Sequence, residues 1–189
     1  MKKYFLIVLA GLSLTSCEEE ISINTPAFEA TNGYTFWRAA KVQAIVDVEK
    51  GDLVIVGADD AENITLYIEN YDYGAEYTLG ISNTNVATYS KIENDTVYRY
   101  STSSSTGNGY IKLDPVEKQK PGTITGTFFA EMEVLTGSPV LSDASGKPMT
   151  SVNFNKGVFF EIPLSKVGQP EPENPEEEEG EPEEGTPNP

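Results

Sequence analysis

The chain predicts an all-β fold: an antiparallel β-sandwich or partly closed barrel of about nine or ten strands in a single domain. Three observations carry that expectation. Several segments alternate apolar and polar residues with a period of two, the spacing at which side chains share one face of a strand. Turn-forming residues recur between these segments. No stretch holds a sustained helical period, and only Phe36 to Ala44 reads as a short helix.

In chain order, Leu53-Val54-Ile55-Val56 is a short continuous apolar run, the pattern of a strand covered on both faces. Asn63 to Glu69 alternates, with Ile64, Leu66 and Ile68 on one face and Tyr67 on the other. Ile124 to Val134 is the longest alternation. Ile124, Phe128, Ala130, Met132 and Val134 point one way; Thr125, Thr127, Phe129, Glu131 and Glu133 point the other. Val158, Phe160, Ile162 and Leu164 read as one face of a last strand. Asn32-Gly33, Asp72-Tyr73-Gly74, Gly107-Asn108-Gly109, Pro121-Gly122 and Lys156-Gly157 supply the turns. Thr136 to Ser151, rich in Ser, Gly and Pro, has no strand pattern and is expected to be a long loop at the rim of a site.

Composition divides the chain into four parts. Residues 1–16 read as a signal peptide: Lys2 and Lys3 precede the apolar stretch Tyr4 to Leu12, too short for a membrane span of roughly 20 residues. Residues 17–26 read as an acidic tether, 27–167 as the packed domain, and 168–189 as a Pro/Glu-rich tail. The tail holds nine glutamates, no basic residue and nothing apolar to bury, so its expected state is disorder. The net charge is −17, yet the 27–167 segment carries only −7 of it. That acidic balance argues against nucleic acid as a partner, because phosphate binding needs a basic face.

Leu14-Thr15-Ser16-Cys17 resembles a bacterial lipobox, which implies that the leader is removed and that Cys17 is lipidated. Two or three acyl chains on that residue, as the resemblance implies, would make a stable membrane anchor, where one chain is marginal. Glu18, Glu19 and Glu20 resemble the surface-export signal of Bacteroidetes lipoproteins. The expected location is therefore the outer membrane, facing the cell surface, with the periplasmic face as the alternative.

Asn32-Gly33 followed by Phe36-Trp37-Arg38-Ala39 resembles the start of a domain found in small Bacteroidetes envelope lipoproteins of unknown function. Gly74-Ala75-Glu76-Tyr77-Thr78-Leu79, Gly122 to Phe128, and Asn155-Lys156-Gly157-Val158-Phe159 follow in matching order. The resemblance implies a lipid-anchored β domain and brings no catalytic residue with it.

The chemistry available to the chain is narrow. It contains no histidine, so Ser-His-Asp triads and histidine metal clusters are excluded. Its one cysteine, Cys17, is assigned to the anchor, leaving no thiol nucleophile and no disulfide. Gly107-Asn108-Gly109 lacks the Lys-Ser/Thr that a phosphate cradle requires. Glu131 and Glu133 share a strand face about 7 Å apart, a spacing some glycosidases use, but between threonines they read as a solvated surface. Asp59, Asp60 and Glu62 form the densest oxygen cluster; a polar turn is the first reading and a calcium site the lesser one. Thr96, in Asp95-Thr96-Val97, resembles the O-glycosylation site of Bacteroidetes envelope proteins.

Aromatic residues are the best functional lead. Trp37, Tyr67, Tyr71 and Tyr73 are the candidate binding aromatics, since rings on a rigid sheet stack on sugar faces or anchor a protein. The sequence thus predicts a non-catalytic domain, without cofactor, that binds glycan or protein at the cell surface. The alternative is a structural or accessory component of an envelope complex, and a carboxylate hydrolase ranks below both.

Overall fold

A computed structural model of the chain describes residues 25–80, 84–103 and 105–168. The leader, Cys17, Glu18 to Glu20 and the tail beyond Gly168 lie outside the described residues.

The described chain is all-β, with eleven strands and one short 3-10 turn, Val116–Lys118. The strands are β1 (Ala27–Asn32), β2 (Thr35–Arg38), β3 (Lys41–Asp47), β4 (Asp52–Ala58), β5 (Glu62–Ile68), β6 (Glu76–Gly80), β7 (Val86–Glu93), β8 (Thr96–Ser101), β9 (Asn108–Leu113), β10 (Thr123–Val134) and β11 (Ser151–Val167). They form one sheet in the order β2-β1-β11-β3-β4-β5-β7-β8-β10-β9-β6. A further pairing joins β10 to β11, so the sheet folds back on itself into a sandwich-like body. Strand β11 makes this possible through its length. It pairs antiparallel with β10 and β1, then runs parallel to β3 through Leu164 to Val167. That parallel pair departs from the purely antiparallel expectation.

Phe36 to Ala44 forms no helix. It contains β2 and the start of β3, with Trp37 and Ala44 buried and their neighbours turned outward. Tertiary pairing overrides weak local preference in a segment this short.

The core lies between the two walls of the folded sheet. Phe28, Phe128 and Phe159 meet at its centre, with ring centroids 5.2 Å (Phe28–Phe128) and 6.4 Å (Phe28–Phe159) apart. Such ring pairs contribute about 0.5–1.5 kcal/mol beyond area burial. Glycines make room for them. A Cβ on Gly157 would sit 2.4 Å from the Phe128 ring, one on Gly126 2.5 Å from Phe159, and one on Gly57 2.6 Å from Phe28. Phe128 pairs directly with Gly157 across the β10–β11 ladder, and Gly126 pairs with Phe159, so each ring lies over the glycine opposite.

The alternation expected for β10 holds for Ile124, Phe128, Ala130 and Met132, all buried. Thr125 is also buried, although its position suggested solvent. The Gln119 side chain covers it: Gln119 Oε1 accepts the Thr125 N–H and Gln119 Nε2 donates to the Thr125 carbonyl. In β11 the phase differs from expectation. Phe154, Gly157, Phe159 and Ile162 face inward, while Val158 and Phe160 are half-buried on the other side. Two bulges cause this. Register shifts oppose two β11 residues to one of β10 at two places, Asn155-Lys156 and Phe160-Glu161, with Lys156 and Glu161 at positive φ (51° and 49°). Each inserted residue inverts the face of everything after it.

Candidate functional site

The β1–β2 hairpin organises the surface of interest. Gly33 has φ of 59° and Tyr34 does not share the positive sign, the pattern of a type II′ turn with glycine at its first central position. Asn32 pairs with Thr35 across it. The turn lifts Tyr34 fully into solvent, and Phe36 is 63% exposed. Both are large rings that a tight fold would bury, so their display is a feature of this face.

On one side of the hairpin lies a groove of about 590 Å³. Tyr34 and Thr31 line it from the hairpin, Tyr110 from β9, Phe129 from β10, and Asn155 and Lys156 from the first bulge of β11. Tyr110 and Phe129 are direct cross-strand partners with ring centroids 6.2 Å apart. Their strands are held by the β10 ladder, so the two rings form a fixed apolar floor. Thr31, Asn155 and Lys156 bring hydroxyl, amide and ammonium groups to its edge. Lys156 has no ion-pair partner among the described residues. Beside the groove, Asn108 Nδ2 donates to Glu131 Oε2 at 2.8 Å, and the buried Asn153 Oδ1 accepts no hydrogen bond. An apolar floor with a few convergent polar groups is the general form of a ligand site.

On the other side of the hairpin lies a cleft of about 420 Å³. Trp37, Tyr89 and Val152 form its deep part, and Glu62, Lys91 and Glu93 its charged wall. Trp37 is buried: it packs edge-on against Phe28 and Phe154, and its Nε1 donates to Asp59 Oδ2 at 3.1 Å. Burial pushes the Tyr89 hydroxyl far above the ordinary tyrosine range, with the Glu62 carboxylate adding to the effect. The neutral phenol is therefore the form the fold stabilises. At pH below 10.0, the ordinary tyrosine value, folded and unfolded chains both keep the proton and that stability is complete. Above it the unfolded chain ionises first, so stability falls as pH rises. Chemical denaturation of Tyr89→Phe from neutral to strongly alkaline pH should show a shallower alkaline decline than the parent; an equal decline would exclude Tyr89 as its source.

The other candidates from the sequence lie away from the groove. Tyr67 donates its hydroxyl to Asp52 Oδ2 at 2.8 Å. Tyr71 and Tyr73 pack edge-on against each other, ring centroids 5.7 Å apart, half-buried at the margin of the core. Trp37 is bound at Asp59 and Tyr67 at Asp52, opposite ends of β4, roughly 23 Å apart by strand rise. Trp37 therefore stands apart from the three tyrosines, since the Tyr71 N–H donates to the carbonyl of Gly51, next to Asp52. Asp59 Oδ1 accepts the N–H groups of Ala61 and Glu62 while its other oxygen holds Trp37. Glu62 lies 3.5 Å from Lys91 Nζ. The acidic cluster is thus engaged as a turn, and no group of three or more metal-ligating side chains occurs among the described residues. Thr96 follows a two-residue hairpin in which Asn94 and Asp95 both have positive φ, and it is half-buried at the start of β8. Glu131 is tied to Asn108, and Glu133 is exposed.

Sequence reasoning passed over Tyr34, Phe36, Tyr110 and Phe129 as a group. One signal was present: Phe129 is the only aromatic on the polar face of the β10 alternation.

A family model described as a domain of unknown function (DUF6252) matches residues 24–163. No curated protein and no solved structure matches the chain.

Proposed function

The chain belongs to the DUF6252 family, whose description assigns no activity, and we propose a lipid-anchored binding module that recognises glycan on the aromatic groove beside the β1–β2 hairpin. The carrying observation is the paired display of Tyr110 and Phe129 on a rigid sheet, with Tyr34, Thr31, Asn155 and Lys156 around them. A sugar ring presents an apolar C–H face and a girdle of hydroxyls. The rings match the first, and the hydroxyl, amide and ammonium groups match the second.

Binding is favoured over catalysis by the residue inventory. The chain has no histidine, and its only cysteine lies in the lipobox-like Leu14-Thr15-Ser16-Cys17. Of the glutamate pair on β10, Glu131 is bonded to Asn108 and Glu133 is exposed. The lipobox resemblance and Glu18 to Glu20 support an outer-membrane address facing the cell surface.

A glycan array probed with the full chain tests the reading. The parent is expected to bind a restricted set of glycans. Tyr34→Ala and Tyr110→Ala should each weaken that binding roughly threefold to tenfold, the range of one aromatic contact. Tyr34 is fully exposed, so its variant should unfold within about 0.5 kcal/mol of the parent. Parent-like glycan binding by both variants would rule out the groove.

A further inference from the structure

The cleft on the far side of the hairpin has a different lining, with Glu62, Lys91 and Glu93 on its wall. Strand β2 ends the sheet order, so among the described residues no strand pairs with its outer edge. Asn32 and Thr35 flank the two-residue turn and form a hydrogen-bonded pair; the next pair, Thr31 and Phe36, is then a non-hydrogen-bonded one. In that register the Phe36 N–H and C=O point away from β1, toward the open edge. Natural edges are normally guarded by charge, proline or a bulge. Here the edge reads Thr35-Phe36-Trp37-Arg38, and Arg38 is turned back to Glu29 on β1, 3.0 Å away.

The cleft borders this edge. On its side, Trp37 points into the core. In a strand added to β2, alternate side chains point the same way as Trp37, into the cleft. Its depth is apolar, with Tyr89, Leu141 and Val152. Its wall holds Lys91 between two carboxylates, 3.5 Å from Glu62 and 3.9 Å from Glu93, which leaves a net negative charge.

We infer that the open edge of β2 and its cleft accept an extended polypeptide segment from a partner protein, added as a further strand and carrying a lysine or arginine opposite Glu62 and Glu93. Main-chain bonds supply the pairing and the cleft supplies side-chain selection, the usual division in strand addition. The main-chain groups offered are the Phe36 N–H and C=O, so the inserted side chain must contribute much of the affinity. A second copy of this chain fits poorly: its own β2 would direct Trp37, already packed in its own core, toward the cleft. The inference is independent of the glycan groove, which lies on the opposite side of the hairpin.

Selection of random displayed peptides of about eight residues against the full chain tests it. Enriched sequences should alternate apolar residues with a lysine or arginine at one fixed place. A synthetic copy of the best one should bind at least about tenfold more weakly after N-methylation of alternate amides, which removes edge hydrogen bonds without touching the protein. Glu93→Lys, at an exposed position, should weaken the same peptide by about tenfold, and Tyr110→Ala should leave it unchanged. The inference is overturned by an absence of enrichment, by acidic enriched sequences, or by indifference to N-methylation. Concentration-dependent dimerisation that is lost in Phe36→Pro would overturn it in favour of a second copy.

Discussion

Gly157→Ala is expected to destabilise the domain by about 2–3 kcal/mol, the scale of overpacking in a close-packed core. The added methyl would sit 2.4 Å from the Phe128 ring, a separation at which something must move. Neither side yields easily. Phe128 is 1% exposed and wedged against Phe28 at 5.2 Å. Gly157 lies in β11 between the β10 ladder and the β1 ladder, one residue after the bulge at Lys156. The left-handed region is not involved, because φ at Gly157 is not positive. Gly33→Ala provides the contrast: its Cβ would meet nothing within 4 Å, but φ is 59°. That variant should lose only about 1 kcal/mol, the backbone cost. Denaturant midpoints of the two variants separate steric overlap from conformational strain. Adding Phe128→Leu to Gly157→Ala should return part of the loss, since neighbouring substitutions couple. A Gly157→Ala protein with the parent's midpoint would show that the ring is not confined as described.

Cys17→Ala is expected to shift the protein from the membrane fraction to the soluble fraction almost completely. The effect is large because anchoring scales with acyl length, at about 0.8 kcal/mol per buried methylene. Among the described residues no helix is long and apolar enough to cross a membrane. In the proposed reading the acyl chains hold the protein at the membrane. Fractionation with metabolic palmitate labelling provides the measurement. Retention of Cys17→Ala in the membrane fraction, or labelling that persists in it, would sink the proposed anchor. Substituting Glu18 to Glu20 with alanine should leave the anchor intact and reduce exposure to external protease, so anchoring and surface export are separable.

Much of the fold is legible in the sequence. Ile64, Leu66 and Ile68 are all buried on one face of β5. Ile124, Phe128, Ala130 and Met132 are likewise buried, as their alternation required. Two segments misled for one reason: periodicity is a local signal. In β11, Val158 and Phe160 kept the period of two, but bulges at Lys156 and Glu161 moved Phe159 inward instead. In Phe36 to Ala44, buried Trp37 and Ala44 are seven residues apart, a spacing that suits two helical turns, yet strands β2 and β3 occupy it.

The candidate site was only partly legible. That aromatics were the lead could be read from their number; which ones stand in solvent could not. Trp37 is buried and lines the cleft, Tyr67 is bonded to Asp52, and Tyr71 and Tyr73 pack on each other. The displayed rings are Tyr34, Phe36 and Tyr110, with Phe129 packed beside Tyr110.

By itself, the order of apolar and polar residues determined that this domain is built of strands and which side of most strands faces inward, because side-chain direction along a strand follows from backbone geometry alone. Only the tertiary structure decided where the sheet closes, through the pairing of β10 with β11, and hence which outward faces are covered. Exposure of a ring depends on what lies across from it, and residues such as Tyr34, Tyr110 and Asn155 become neighbours only when distant strands are brought into register.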